Sequence, residues 1–176
     1  MHVRTNDLPH DASIHSQACG DEIVDIIFDH ASHLALFKMA MRALGNLSVI
    51  DENVDKVIRC GAVRSIVAGM RHASEDGEAM LIAVQVLGNF ASAAESLDDG
   101  YDDEAQLISQ IMFREEAGQE VIAVLTRATA SCASGGSISF RRLSVEGRHL
   151  VYACIEALNF ISHTMRVATA LVPFVS

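Results

Sequence analysis

Ala43-Leu44-Gly45-Asn46-Leu47 returns as Val86-Leu87-Gly88-Asn89-Phe90 and, more loosely, as Glu156-Ala157-Leu158-Asn159-Phe160. Each copy lies in an apolar segment with helical spacing. Glycine and asparagine are both poor choices for a helix interior. A helix that carries them repeatedly is shaped by what packs against it. Outward from each copy the chain repeats an order: a short helix, a glycine, a middle helix, then a long helix with a late asparagine. Gly20 and Gly61 are roughly 40 residues apart, as are Asn46 and Asn89. That period belongs to stacked helical repeats.

In chain order, residues 1–11 carry no periodicity and read as a loose terminus. A first unit is expected over 12–50. It opens with a short helix from Ala12 to Ala18, continues through the stripe Ile23/Val24 and Ile26/Ile27, and ends on a helix from Leu34 to Leu47. A second unit spans 51–94. Its short helix carries Val54, Val57 and Ile58, and its middle helix Val63, Ile66, Val67 and Met70. Ser74-Glu75-Asp76-Gly77 has the chemistry of a helix cap before the long helix Glu78 to Ala91. An acidic linker follows at 95–104. A third unit is expected over 105–163, interrupted by a Ser/Gly-rich insertion at 130–147, with its long helix from His149 to Ser162. Residues 164–176 read as a separate helix that opens an incomplete fourth unit.

Composition narrows the function. The chain has 176 residues, half of them hydrophobic, with 2 Pro, no Trp and only 5% aromatics. A core of Ala, Val, Leu and Ile on that scale fits one mostly helical domain. Against 23 Asp and Glu stand 13 Lys and Arg, a formal charge of −10. Nucleic acid is therefore not an expected partner, because phosphate binding needs clustered cations. The apolar C-terminal stretch is interrupted by Glu156, His163 and Arg166, so a membrane span is not expected either. The four cysteines form no C-x-x-C pair, and the polar start Met1 to His10 carries no signal-peptide pattern. Reduced thiols and a cytoplasmic, also nuclear, location are the expectation.

Chemistry-bearing motifs are sparse. There is no phosphate loop, G-x-S-x-G or H-E-x-x-H, so no catalytic residue is assigned and the chain is expected not to be an enzyme. His30, His33, Cys60 and His72 do not have the spacing of a metal site, and no metal or cofactor is expected. The linker acids Glu95, Asp98, Asp99, Asp102, Asp103 and Glu104 lack the spacing of a calcium loop. In the insertion, Arg141-Arg142-Leu143-Ser144 places basic residues upstream of a serine, as many kinase sites do.

The pattern resembles the armadillo repeat family. Arg59-Cys60-Gly61-Ala62-Val63 is similar to that family's acid-Ala-Gly-Ala-Leu bend, and Glu116-Ala117-Gly118 is closer still. The Ala-Leu-x-Asn-Leu signature of the third helix is met by Ala43 to Leu47 and approximated by Val86 to Phe90. HEAT repeats, the nearest confusable family, lack both features. The third copy departs by having Leu158 where the others have glycine. The resemblance implies an all-α, right-handed armadillo-like superhelix of about three three-helix repeats. It implies a concave groove lined by the third helices, which in peptide-binding members holds an extended ligand. Asn46, Asn89 and Asn159 match the late asparagine that bonds ligand backbone, and Arg42, Gln85 and Ile155 lie one turn earlier on the same face. These six residues are the candidate partner-binding set. The asparagines equally suit internal bonds to a neighbouring repeat. The expected function is a non-catalytic protein-interaction scaffold whose partner is a protein or extended peptide. Two alternatives stand beside it. One is a cargo adaptor of the nuclear-transport type, disfavoured by the missing Trp. The other is a structural component of a cytoskeletal or ciliary assembly. The C-terminal apolar helix is expected to support self-association or continuation of the stack.

Overall fold

A computed structural model of the chain describes residues 22–27, 29–30, 32–96, 103–130, 133–134, 137–138 and 143–171. The described chain is all-α, apart from one two-residue ladder. A short helix α1 (described at 22–27 and 29) leads to α2 (Leu34–Leu47), α3 (Asp51–Arg59), α4 (Ala62–His72) and α5 (Gly77–Ser96). After the linker come α6 (Asp103–Arg114), α7 (Ala117–Ala130) and α8 (Val145–Leu171). Between α7 and α8, β1 (Ala133–Ser134) pairs antiparallel with β2 (Ser137–Ile138). The segment expected to be helical from Ala12 to Ala18 lies outside the described residues, as do the linker acids Asp98, Asp99 and Asp102.

The helices form where the apolar period is strongest. On α2 the buried residues are Phe37, Ala40, Met41 and Leu44, one stripe at helical spacing. Asp76 starts α5 by accepting the Ala79 N–H at 2.8 Å, the bond expected of an N-cap carboxylate. Gly61 joins α3 to α4 at φ +91°, a left-handed backbone that glycine adopts without the Cβ clash other residues meet. The corresponding joint between α6 and α7 turns at Glu116, with φ +60°, and Gly118 lies inside α7. The second bend is thus made two residues before the glycine that marks it in sequence.

One apolar core runs the length of the described chain, from Val24 and Ile27 through Phe90 and Ile108 to Ile161. Its centre is α5. Over Gly77–Ala94 this helix is long and apolar enough to cross a membrane, yet 61% of that stretch is buried inside the protein. α5 packs most extensively on α8, then on α2 and α6. Elements also meet their counterparts: α3 touches α6, and α4 touches α7. Gly69 on α4 makes the α2 contact close. A methyl built there would overlap the Phe37 ring, with Cδ2 at 2.6 Å.

Three boundaries differ from the sequence expectation. Residues 164–171 do not begin a new helix: they continue α8, which is 27 residues long. Nothing in the backbone stops it, because Thr164 to Ala170 contains neither Gly nor Pro. α8 also starts at Val145, inside the expected insertion, where Ser144 caps it: the Gly147 N–H donates to Ser144 Oγ at 3.0 Å. Similarly, α5 extends to Ser96, beyond the expected start of the acidic linker.

Candidate functional site: the cleft between the long helices

The three longest-range motif copies lie on α2, α5 and α8, and these helices enclose a cleft of about 780 Å³. α2 contributes Met41, Arg42, Gly45 and Asn46. α5 contributes Ile82, Gln85, Gly88, Asn89 and Ser92 among others. α8 contributes Ala153, Glu156, Ala157 and Phe160. Residues four apart on a helix share a face. Hence Arg42 and Asn46, Gln85 and Asn89, and Glu156 and Phe160 each present a pair to the same space.

Four of the six candidate residues therefore line the cleft: Arg42, Asn46, Gln85 and Asn89. Ile155 and Asn159 do not. Both are exposed, with Ile155 at 50%, and the cleft-facing residues of α8 are the next ones along, Glu156 and Phe160. One residue on a helix is a rotation of about 100°, so the α8 register is displaced by that amount from the motif alignment. The packing explains the displacement. A methyl built on Gly88 would lie 3.4 Å from Ala157 Cβ. The residue of α8 that meets Gly88 is Ala157, and not Leu158, which stands where the other copies have glycine. Turning Ala157 toward α5 turns Glu156 and Phe160 into the cleft.

Gly45 and Gly88 make room for these contacts without being sterically required. A methyl on Gly45 would meet Val86 Cγ2 at 3.6 Å, an ordinary van der Waals distance. At neither site do the long helices come close enough to exclude a methyl. The glycine for which a side chain is excluded is Gly69, which no repeated motif marked.

Asn89 is an internal tie as well as a cleft residue. Its Nδ2 donates to Ser48 Oγ at 3.0 Å, and Ser48 Oγ donates to the Gly45 carbonyl at 2.9 Å. Ser48 is 5% exposed, so this chain of bonds joins α5 to the end of α2 in a nearly dry place, where losing a partner is costly. Asn46, by contrast, is exposed on the cleft surface.

An ionic cluster borders the cleft where α5 begins. Lys38 Nζ lies 2.8 Å from Glu78 and 2.9 Å from Asp76, and Arg42 Nη2 lies 2.6 Å from Glu78. Hydrogen bonds to Glu78 and Asp76 hold the Lys38 ammonium above its usual pKa. The Ala79 backbone N–H, and then Lys38, hold the Asp76 carboxyl below its own, and Lys38 does the same for Glu78. A second cluster lies between α4 and α7. Arg71 reaches Glu120 at 3.2 Å and Glu116 at 3.0 Å, and Arg127 reaches Glu120 at 3.5 Å. Glu120 is only 8% exposed, so its charge is held by two guanidinium groups rather than by water.

Among the described residues, the cleft's titratable side chains are Arg42 and Glu156, and no His or Cys lines it. Cys154 is fully buried, and burial pushes its thiol up to about 11. Among the described residues, no group of three or more His, Cys, Asp or Glu converges as a metal site would require. What the cleft offers is an apolar floor with primary amides and a few charges set along it. Each amide carries a donor and an acceptor, as each peptide unit does. Ser48, Ser92, Glu156 and Phe160 were not singled out by sequence reasoning. Glu156 and Phe160 stand within the third motif copy, one place along from Ile155 and Asn159. No protein-family model, curated protein or solved structure matches the chain.

Proposed function

We propose that this chain is a non-catalytic protein-interaction scaffold of armadillo-like architecture that takes an extended segment of a partner protein into the cleft between α2, α5 and α8. The observation that carries the reading is the set of amides along that cleft, Asn46, Gln85 and Asn89. An extended peptide presents unpaired N–H and C=O groups along its length, and primary amides can meet both kinds at once. Support for the superhelix comes from like helices packing on like: α2 on α5, α5 on α8, α3 on α6 and α4 on α7. In a one-dimensional stack each unit contacts its neighbours in this way.

The net charge of −10 makes nucleic acid an unsuitable ligand. A cytoplasmic and nuclear location is part of the same proposal, and so is the absence of a membrane role and of a cofactor. The transport-adaptor reading is weaker here because no Trp is available to stack the stems of basic ligand residues. One observation favours a structural, self-associating role as the second reading. On the outer side of α6, α7 and α8, Phe113 is 61% and Ile122 is 51% exposed beside a second, smaller cleft that includes Leu158 and Ile161. Stacked repeats leave such a face at their ends.

The test is selection of peptides from a random displayed library against the full chain, followed by amide hydrogen exchange with the selected peptide bound. Slowed exchange over the cleft faces of α2, α5 and α8 is the expected result. A footprint confined to α3, α4, α6 and α7, or a library that yields no binder, would overturn the proposal.

A further inference from the structure

The two bends with positive φ, Gly61 and Glu116, give the second and third units a common origin. At equal distance before them stand Ile58 on α3 and Phe113 on α6, and at equal distance after them Val67 on α4 and Ile122 on α7. Ile58 and Val67 are buried, on the two helices against which α6 and α7 pack. Phe113 and Ile122 are exposed, and they border the smaller cleft with Leu158 and Ile161. The same two positions are apolar in both units, but they are covered only in the unit that another unit follows. The opposite end of the stack offers a counterpart. On α5, Val86 meets the preceding long helix, where a methyl on Gly45 would lie 3.6 Å from its Cγ2. In the repeated motif Val86 corresponds to Ala43 of α2, the first long helix among the described residues. Met39, one turn earlier, is 66% exposed, and Ile26 on α1 is exposed too.

Charge gives the stack a direction. Across each boundary inside the chain the cation belongs to the earlier unit and the acid to the later one. Lys38 and Arg42 meet Asp76 and Glu78, and Arg71 meets Glu116 and Glu120. The last unit exposes Arg114 and Arg127, whose partners Glu115 and Glu120 are its own, and α1 exposes Glu22, Asp25 and Asp29. We infer that the face of α6, α7 and α8 marked by Phe113 and Ile122 is a docking site for the α1–α2 end of a second copy of this chain, so that copies add head to tail. The occupant follows from the interface that the fold already repeats: within the chain, this kind of face is covered by the leading side of the next unit. A repeat buries its apolar face only against a neighbour, and a second copy supplies that neighbour with the acids on the side where the preceding unit offers cations. Such a contact is heterologous. Each copy uses two different patches, so a bound pair still has one head and one tail free and further copies can add. The inference rests on the stacked-unit part of the proposed function and not on the cleft between α2, α5 and α8.

The experiment is analytical ultracentrifugation of the full chain from about 1 μM to about 1 mM, the span over which weak specific contacts are read. The average mass is expected to rise with concentration and to pass that of a dimer. Phe113→Glu with Ile122→Glu blocks the tail, and Ile26→Glu with Met39→Glu blocks the head. All four positions are exposed and glutamate is a good helix former, so both forms keep the parent's helical circular dichroism. Each blocked form alone is monomeric. Mixed in equal amounts they form a one-to-one pair and stop there, because one supplies a free head and the other a free tail. That recovery also shows both forms to be folded. A parent that stays monomeric, a head-blocked form that associates by itself, or a mixture that stays monomeric would each overturn the inference. Hydrogen exchange with a library-selected peptide separates this claim from the cleft. A peptide footprint in the cleft without association counts against head-to-tail docking alone, and association without a footprint counts against the cleft alone.

Discussion

The two walls of the cleft are built by different means. Between α2 and α5 the wall is polar and tied. Asn89 reaches Ser48, Ser48 reaches the Gly45 carbonyl, and Lys38 and Arg42 meet Asp76 and Glu78 across the helix pair. Between α5 and α8 the wall is set by size. Gly88 faces Ala157, where a methyl on the glycine would lie 3.4 Å from the alanine Cβ. The first wall keeps its motif register because polar bonds specify partners atom by atom. The second wall obeys only the rule that the smallest residue goes where the backbones are closest. Recurrence of the motif therefore carries cleft-lining positions from α2 to α5, whereas on α8 the cleft is lined by Glu156 and Phe160, one place along from Ile155 and Asn159.

That contrast can be broken at its anchors. The largest effect is expected from Gly69→Ala, which pushes a methyl into the Phe37 ring beneath α2 and costs about 3 kcal/mol by overpacking. Phe37 is 1% exposed and has little room to yield. A drop in Tm of that size in thermal denaturation would agree, and an unchanged Tm would mean α2 is not seated as described. Next comes Asn89→Ala, which leaves the Ser48 hydroxyl short of a partner and costs about 1 kcal/mol, against less than about 0.5 kcal/mol for exposed Asn159→Ala. Equal destabilisation of the two variants in urea titrations would erase the difference between the walls. Gly45→Ala is expected to stabilise by about 0.5–1 kcal/mol, because the helix gains propensity while its new methyl finds ordinary contact with Val86. A loss of stability there would show that α2 and α5 lie closer than this account allows.

The ionic side of the first wall has a pH signature. Asp76 and Glu78 have folded-state pKa values below their unfolded ones. Their stabilisation is present above the ordinary carboxyl range and is lost as pH falls through the lowered values. Lys38, whose pKa is raised, gives the mirror image: its contribution is intact below about 10.5 and disappears at still higher pH. Stability of the parent should thus be level through neutral pH and fall below about pH 4, and Lys38→Met should flatten part of that acid limb. An acid limb unchanged in that variant would remove the cluster from the account.

Much of the fold is legible in the sequence, for a physical reason. The α2 stripe Phe37, Met41, Leu44 sits in an uninterrupted helix, and both ends of α2 fall where its periodicity does. Asp76 announces the start of α5 by its own capping chemistry. Register is legible only where a local residue enforces it. Gly61 marks its bend because it adopts the positive φ itself, whereas at the second bend Glu116 takes that conformation and Gly118 misleads. The unbroken course of α8 past Ser162 was hidden by polar residues read as a boundary, although none of them stops a helix. Gly69 was illegible because its partner, Phe37, lies on another helix, and no local pattern reports a tertiary contact. The same holds for Glu120, whose partner Arg71 is on α4.

The central claim is that the cleft holds a partner segment and that its α8 wall is formed by Glu156 and Phe160. It is tested most directly by the affinity of a library-selected peptide for three forms of the full chain. These are the parent, the pair Gln85→Ala with Glu156→Ala, and the pair Ile155→Ala with Asn159→Ala. The account predicts that the first pair weakens Kd by about tenfold or more, as loss of more than about 1.4 kcal/mol at an interface does, while the second pair leaves it within about twofold. Comparable losses in both pairs, or the reverse order, would contradict it.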